Sequence, residues 1–197
     1  QFNYSFTTNE PLWATLSYSK QGATYTEAWI QDAANQDGVY EELYGWSKKG
    51  SGSTTVLLPA GKYFGYVSGE TVLGKTKSSV STISSGKVRI DFAPMGSATA
   101  KPSGKAQGYA ALGSARSCAV HALPAKLSSS SKRIKSMKKI SFAVNGKTVK
   151  TLKGRAIKRG LALKLPIGDA AAASVKTTVR LKSGKTITAT AAYRPCG

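Results

Sequence analysis

The 197-residue chain, 41% hydrophobic and 19% charged, has enough apolar material for one large core or two of about 100 residues each. Its formal charge of +20 is extreme, and no apolar run approaches the roughly 20 residues of a helical membrane span. Gly, Ser, Thr and Ala are abundant and no long stretch carries amphipathic helical periodicity, which argues against a helical protein and for many short strands.

Phe2, Tyr4 and Phe6 alternate with Asn3, Ser5 and Thr7, a strict period of two that predicts a strand with one aromatic face. Its aromatic face and the Pro break after it make Phe2, Tyr4 and Phe6 a candidate assembly strand, able either to pair within its own sheet or to be lent to a neighbour. Leu12 to Tyr18 and Thr24 to Ile30 are the next predicted strands, followed by a polar loop from Gln31 to Gly38. Asp32, Asn35, Asp37 and Gly38 superficially suggest a calcium loop, but the oxygen spacing is wrong and no Glu stands at the twelfth position. Val39 to Trp46 predicts a strand, Lys48 to Ser53 a loop, and Thr54 to Leu58 and Tyr63 to Val67 two more strands around Pro59-Ala-Gly61. Ser78 to Ile83 and Lys87 to Phe92 predict a closing hairpin, with Val88, Ile90 and Phe92 pointing one way. Strands spaced about ten residues apart with Gly, Ser and Pro turns between them predict a sandwich. The phrase Leu57-Leu-Pro-Ala-Gly-Lys-Tyr63 resembles the corner of prealbumin-like, carboxypeptidase-regulatory-type sandwich modules of secreted proteins.

Residues 96–107, rich in small residues and Pro and without periodicity, read as a linker between a module at 1–95 and a second at 108–197. The charge changes across it. Residues 1–95 hold eight Lys/Arg and eight acids, whereas 96–197 hold the other 21 bases and one acid, Asp169. A module so lopsided attracts polyanions, the alternative being a surface of solvated Lys.

In the second module, Cys118 to Leu123 predicts a strand and Leu127 to Ser131 a loop. Ile140 to Val144, Asn145-Gly146 and Lys147 to Leu152 predict a hairpin, since a type I′ turn needs positive φ at both central residues. Leu161, Leu163 and Leu165 share a face, as do Val175, Thr177, Val179 and Leu181. A turn at Lys182-Ser-Gly184 with a left-handed Gly pairs Val179 with Ile187 and Val175 with Ala191, leaving a cationic outer face. Two cysteines in a basic chain of this kind suggest one disulfide, Cys118 to Cys196, with independent thiols as the alternative. Starting at Gln1, the chain reads as a mature secreted protein, although any trimmed chain begins the same way.

Cys118, Phe142 to Leu152, Val175 to Lys185 and Tyr193-Arg-Pro-Cys196, in that order, resemble the immunoglobulin-like module at the ends of actinobacterial secreted and surface proteins. That resemblance implies a two-sheet sandwich, an extracellular location and a disulfide. It implies no activity. The expected fold class is therefore all-β, with two β-sandwich (Ig-like) domains in tandem.

Little in the chain serves catalysis. His121 is the single histidine, and Asp169 the single acid of the second module. One His and two cysteines expected to be bridged do not make a zinc site. Glu41 and Glu42 are adjacent, so a strand sends them to opposite faces. No P-loop, nucleophile elbow or dinucleotide fingerprint occurs. No enzyme activity, metal or cofactor is expected. Lys132, Arg133, Lys135, Lys138, Lys139, Lys176, Arg180 and Lys182 are the candidate contacts for an anionic polymer. Sequence-specific nucleic-acid recognition is not expected, because Phe142 is the sole aromatic between residues 110 and 192. The expected reading is a non-catalytic extracellular structural or adhesive protein, as a filament subunit or a soluble module. The alternative is a cationic module binding anionic cell-surface polymers.

Overall fold

The computed structural model describes residues 2–21, 24–34, 39–45, 49–71 and 85–197. Trp46, the calcium-like residues Asn35, Asp37 and Gly38, and the predicted strand Ser78 to Ile83 lie outside the described residues. The protein is all-β and sandwich-type, built from antiparallel sheets. It divides into two compact units, Gln1–Pro94 and Met95–Gly197.

In the first unit, β1 (Phe2–Thr8), β3 (Thr24–Asp32), β4 (Val39–Gly45) and β6 (Gly61–Thr71) form one sheet in the order β1-β6-β3-β4. The strands β2 (Leu12–Gln21), β5 (Lys49–Leu58) and β7 (Ser85–Pro94) form the other, in the order β5-β2-β7. Alternation decides what each strand buries. Ala14 and Leu16 from one sheet meet Ala28, Ile30 and Tyr63 from the other, and Leu58 closes the same core. Val88 and Ile90 pack on it as their periodicity predicts, while Phe92 reaches the ring of Phe6 at 4.8 Å and stays 43% exposed. β1 pairs with β6 along its whole length, from Phe2↔Val67 to Thr8↔Gly61.

The Pro59-Ala-Gly61 turn is held by a tyrosine corner: the Tyr63 hydroxyl donates to the Pro59 carbonyl at 2.8 Å. Thr8 adds a second tie, donating to Pro59 O at 2.9 Å and accepting from Gly61 N at 3.1 Å. Of the predicted loop Lys48 to Ser53, Lys48 lies outside the described residues and the rest is corrected: Lys49 opens β5, which pairs with β2 down to Gln21↔Lys49. The glycines there are not turn signals. A Cβ on Gly52 would stand 2.6 Å from Cε1 of Tyr18, whose ring covers that strand, so close approach requires a glycine.

In the second unit, β10 (Met137–Val144), β11 (Lys147–Lys153), β13 (Ala173–Leu181) and β14 (Thr186–Tyr193) form a sheet in the order β11-β10-β13-β14. The strands β8 (Ala110–Leu112), β9 (Ala122–Leu127) and β12 (Ala162–Pro166) form the facing sheet, in the order β12-β9-β8. Ile140, Phe142, Val175, Val179 and Tyr193 meet Leu123, Leu127 and Leu165 in a fully enclosed core. Asn145 and Gly146 have φ of 47° and 83°, the left-handed pair a type I′ turn requires. The predicted register holds, with Val179 opposite Ile187 and Val175 opposite Ala191, and Gly184 turns at φ 86°.

Three expectations change here. Residues 96–107 are packed: Ala98 bridges Tyr193, Ser103 and Thr190 exchange backbone bonds of 2.9 and 2.8 Å, and Ala106 is fully buried. The segment covers what would otherwise be a bare edge of β14. Its small residues serve that close approach, since Gly104, at φ 114°, brings its Cα against the Thr188 carbonyl. Second, Cys118 to Leu123 is not one strand, because the chain turns before Ala122, with His121 left-handed at φ 47°. Pro124 then sits inside β9, beyond the last β8 partner, Leu112↔Ala125, so its missing N–H costs no ladder bond to β8. Third, the predicted Ser-rich loop holds at residues 128–130, but it leads into a helix that the sequence does not predict. Ser130 accepts from Arg133 N at 3.5 Å at the start of α1 (Ser131–Ser136).

Candidate polyanion-binding face

The outer face of the β11-β10-β13-β14 sheet follows from the same alternation that buries Ile140, Phe142, Val175 and Val179. Lys139 lies directly opposite Lys153 on one side and Arg180 on the other. Like charges placed opposite each other across strands oppose pairing. A row of three therefore costs folding free energy and concentrates positive potential at one end of the face. Lys176 stands four residues along β13 from Arg180, roughly 13 Å at the usual strand rise, opposite Ala143 and Thr190. Between them the face is hydroxyl-bearing: Thr151, Ser141, Thr178 and Thr188 are partners in one cross-strand row.

The candidate residues read from the sequence do not form one patch. Lys139 and Arg180 are joined by Lys153, which in the sequence belongs to the wider run of cations from Lys132 to Arg159. Lys138 is exposed in the bulge between Met137 and Lys139. The Lys182 amide donates to Ser136 O at 2.8 Å, which puts Lys182 beside the end of α1. Lys132 and Lys135 are exposed on that helix, but Arg133 is committed, its guanidinium donating to Gly108 O at 2.9 Å. Lys176 stands apart at the far end. Phe2, Tyr4 and Phe6 lie in the first unit as a ladder of rings with centroids 5.8 and 5.7 Å apart.

The one acid of this unit is drawn away from the face. Asp169 accepts from or is bonded to the Nδ1 edge of His121, and its backbone carbonyl takes bonds from Arg116 and from Cys196 N at 3.0 Å. Arg116 is 3% exposed. Its guanidinium donates to the carbonyls of Gly168, Asp169 (3.2 Å), Ala171 (2.9 Å) and Arg194 (2.5 Å). Burial holds it below its ordinary pKa, and Asp169 opposes that shift. The cluster ties the 168–171 loop to the closing Cys118–Cys196 disulfide, whose Cα atoms are 5.6 Å apart. Sequence reading considered His121 and Asp169 separately; the fold brings them into contact. No hydroxyl is bonded to the imidazole among the described residues, and the two cysteines of the chain are bridged to each other. Among the described residues no group of His, Cys, Asp or Glu is arranged to hold a metal ion.

In comparisons with known proteins, no family model matches this chain, and neither a curated protein nor a solved structure is similar to it.

Proposed function

We propose that the chain is a non-catalytic extracellular adhesive protein whose second unit attaches it to anionic polymers: cell-wall polymers, acidic glycans or released DNA. The observation that carries this reading is the Lys153–Lys139–Arg180 row, placed outward and with no acid opposite it. A protein with no use for that potential gains by separating or pairing these charges. The contacts are ionic and sequence-blind, so affinity falls steeply with salt. The disulfide supports an oxidising compartment, and among the described residues no helix is long and apolar enough to cross a membrane. The resemblance of Phe142 to Leu152 and Tyr193 to Cys196 to actinobacterial surface modules supports the same compartment.

The test is retention on heparin and on purified cell-wall polymer over a salt gradient, for the parent and for a Lys139→Gln/Lys153→Gln/Arg180→Gln variant. The variant is expected to elute at lower salt, with the slope of log K against log salt reduced by about three charges' worth. Elution of the parent by physiological salt, or co-elution of the two proteins, rejects the reading.

A second reading, a filament subunit, has support of its own. β1 ends its sheet among the described residues, and Phe2 is 62% exposed on it. A chain lacking residues 1–10 that forms the same particles as the parent in negative-stain images rules out assembly through that strand.

A further inference from the structure

The outer face of the first unit's larger sheet carries a depression whose chemistry differs from that of the cationic face. On β3, Ala28 and Ile30 point into the core, so Trp29 and Gln31 point out; on β6, Tyr63 points in, so Phe64 and Tyr66 point out. Register then assembles two adjacent rows. Asn3, Tyr66 and Trp29 are cross-strand partners in one, and Ser5, Phe64 and Gln31 in the next. Trp29 and Tyr66 stack with centroids 5.0 Å apart and planes 14° from parallel. Phe64, which could have been buried, is 40% exposed. Gly65 alternates to the opposite face, where the ring of its partner Tyr4 fills the space a Cβ would take, so between Phe64 and Tyr66 only backbone faces the depression. The result is an open depression of about 590 Å³ lined by Asn3, Tyr4, Ser5, Trp29, Gln31, Phe64, Gly65 and Tyr66.

We propose that this depression is a binding site for a neutral saccharide. Among the described residues, the outward lining pairs the side chains of Trp29, Phe64 and Tyr66 with two amides and the Ser5 hydroxyl, and none of these bears a charge at neutral pH; the row of Trp29 continues to Glu42 on β4. A pyranose presents the matching surface: an apolar face of C–H groups that packs on aromatic rings, and a rim of hydroxyls that both donate and accept. Amides satisfy such a rim because each offers donors and acceptors at once. Rings that combine an apolar body with a polar edge suit a ligand that is apolar on one side and wet on the other. A polyanion is disfavoured here, since among the described residues the lining offers no cation to replace its counterions. The site works without ion pairing and is therefore chemically separate from the cationic face of the second unit.

Affinity electrophoresis in native gels containing hydroxyethyl cellulose, xylan, mannan or amylopectin tests this, run at high salt to silence polyanion binding. The parent is expected to be retarded by at least one of these polymers. Phe64→Ala and Trp29→Ala each reduce the retardation at least tenfold in apparent affinity, and Gln31→Ala, at an outward position that leaves the core intact, reduces it several-fold. The Lys139→Gln/Lys153→Gln/Arg180→Gln variant is retarded as the parent is, which keeps failure of this proposal distinguishable from failure of the polyanion reading. Equal mobility of the parent in all four polymer gels and a blank gel overturns the proposal. So does unchanged retardation in Gln31→Ala together with Phe64→Ala. A change from oligomer to monomer in Phe64→Ala without any polysaccharide retardation also overturns it, and assigns the surface to a protein interface.

Discussion

Replacing Arg116 by methionine removes the one buried cation of the second unit and the guanidinium bonds to the carbonyls of Gly168, Asp169, Ala171 and Arg194, of which Asp169 O keeps the Cys196 amide. Hydrogen bonds to a charged group contribute about 1.5–3 kcal/mol each, so four amount to roughly 6–12 kcal/mol gross. Burying the guanidinium costs several kcal/mol, which the variant regains. Carbonyls left buried without a donor cost about 1–3 kcal/mol each, so the net loss expected is about 3–5 kcal/mol. That is a large share of the roughly 5–15 kcal/mol by which a domain is stable. Amide hydrogen exchange reads it locally, at the peptides containing residues 166–172 and 193–197. The Cys196 amide, bonded to Asp169 O, is expected to lose at least a hundredfold in protection at about 1.4 kcal/mol per tenfold. Arg116→Lys keeps the charge but not the planar fork, and is expected to fall between parent and methionine variant. A methionine variant within about 1 kcal/mol of the parent, with both peptides still protected, would refute the reasoning.

Tyr193 has no exposed surface, donates to Gly113 O at 2.9 Å, and is pushed by burial up to about 12. Its folded pKa lies above the ordinary value of 10.0, so its contribution is intact below pH 10 and is lost as pH rises from there towards about 12. Denaturation midpoints of Tyr193→Phe should lie about 1 kcal/mol lower at neutral pH and fall less steeply than the parent's across that alkaline window; parallel curves would contradict the assignment. Replacing Cys118 and Cys196 together by serine opens a loop spanning a sequence separation of 78, and chain entropy alone predicts a loss of about 4–5 kcal/mol. Chemical denaturation measures it. Because Arg116 stands two residues from Cys118 and bonds the segment before Cys196, the combined variant should depart from additivity, and simple addition would show that clamp and bridge act separately.

Much of the fold was legible because it depends on local chemistry. The Asn145-Gly146 turn, the Val175 and Val179 pairings and the inward set of Val88 and Ile90 all follow from a period of two and from residues that accept positive φ. The errors fell where one composition serves two purposes. Gly52 and Gly104 lack a side chain where other atoms lie against them, the Tyr18 ring and the β14 backbone, and a flexible loop leaves the same signature. Residues 128–130 form the loop their lack of periodicity predicts, and what went unread is the six-residue helix that Ser130 caps.

The candidate sites divide the same way. Charge and alternation in the sequence determine that the second unit has a cationic outer face, since Lys139, Lys176 and Arg180 oppose core positions on their own strands. Only the strand order decides that Lys139 is flanked by Lys153 and Arg180 while Lys176 stands alone, that Arg133 is spent on Gly108, and that His121 meets Asp169. The depression of Trp29, Phe64 and Tyr66 belongs wholly to the tertiary structure. Its residues come from β1, β3 and β6, and what places them side by side is register between strands distant in sequence. Alternation states which face a side chain takes but carries no information about its neighbour across the ladder.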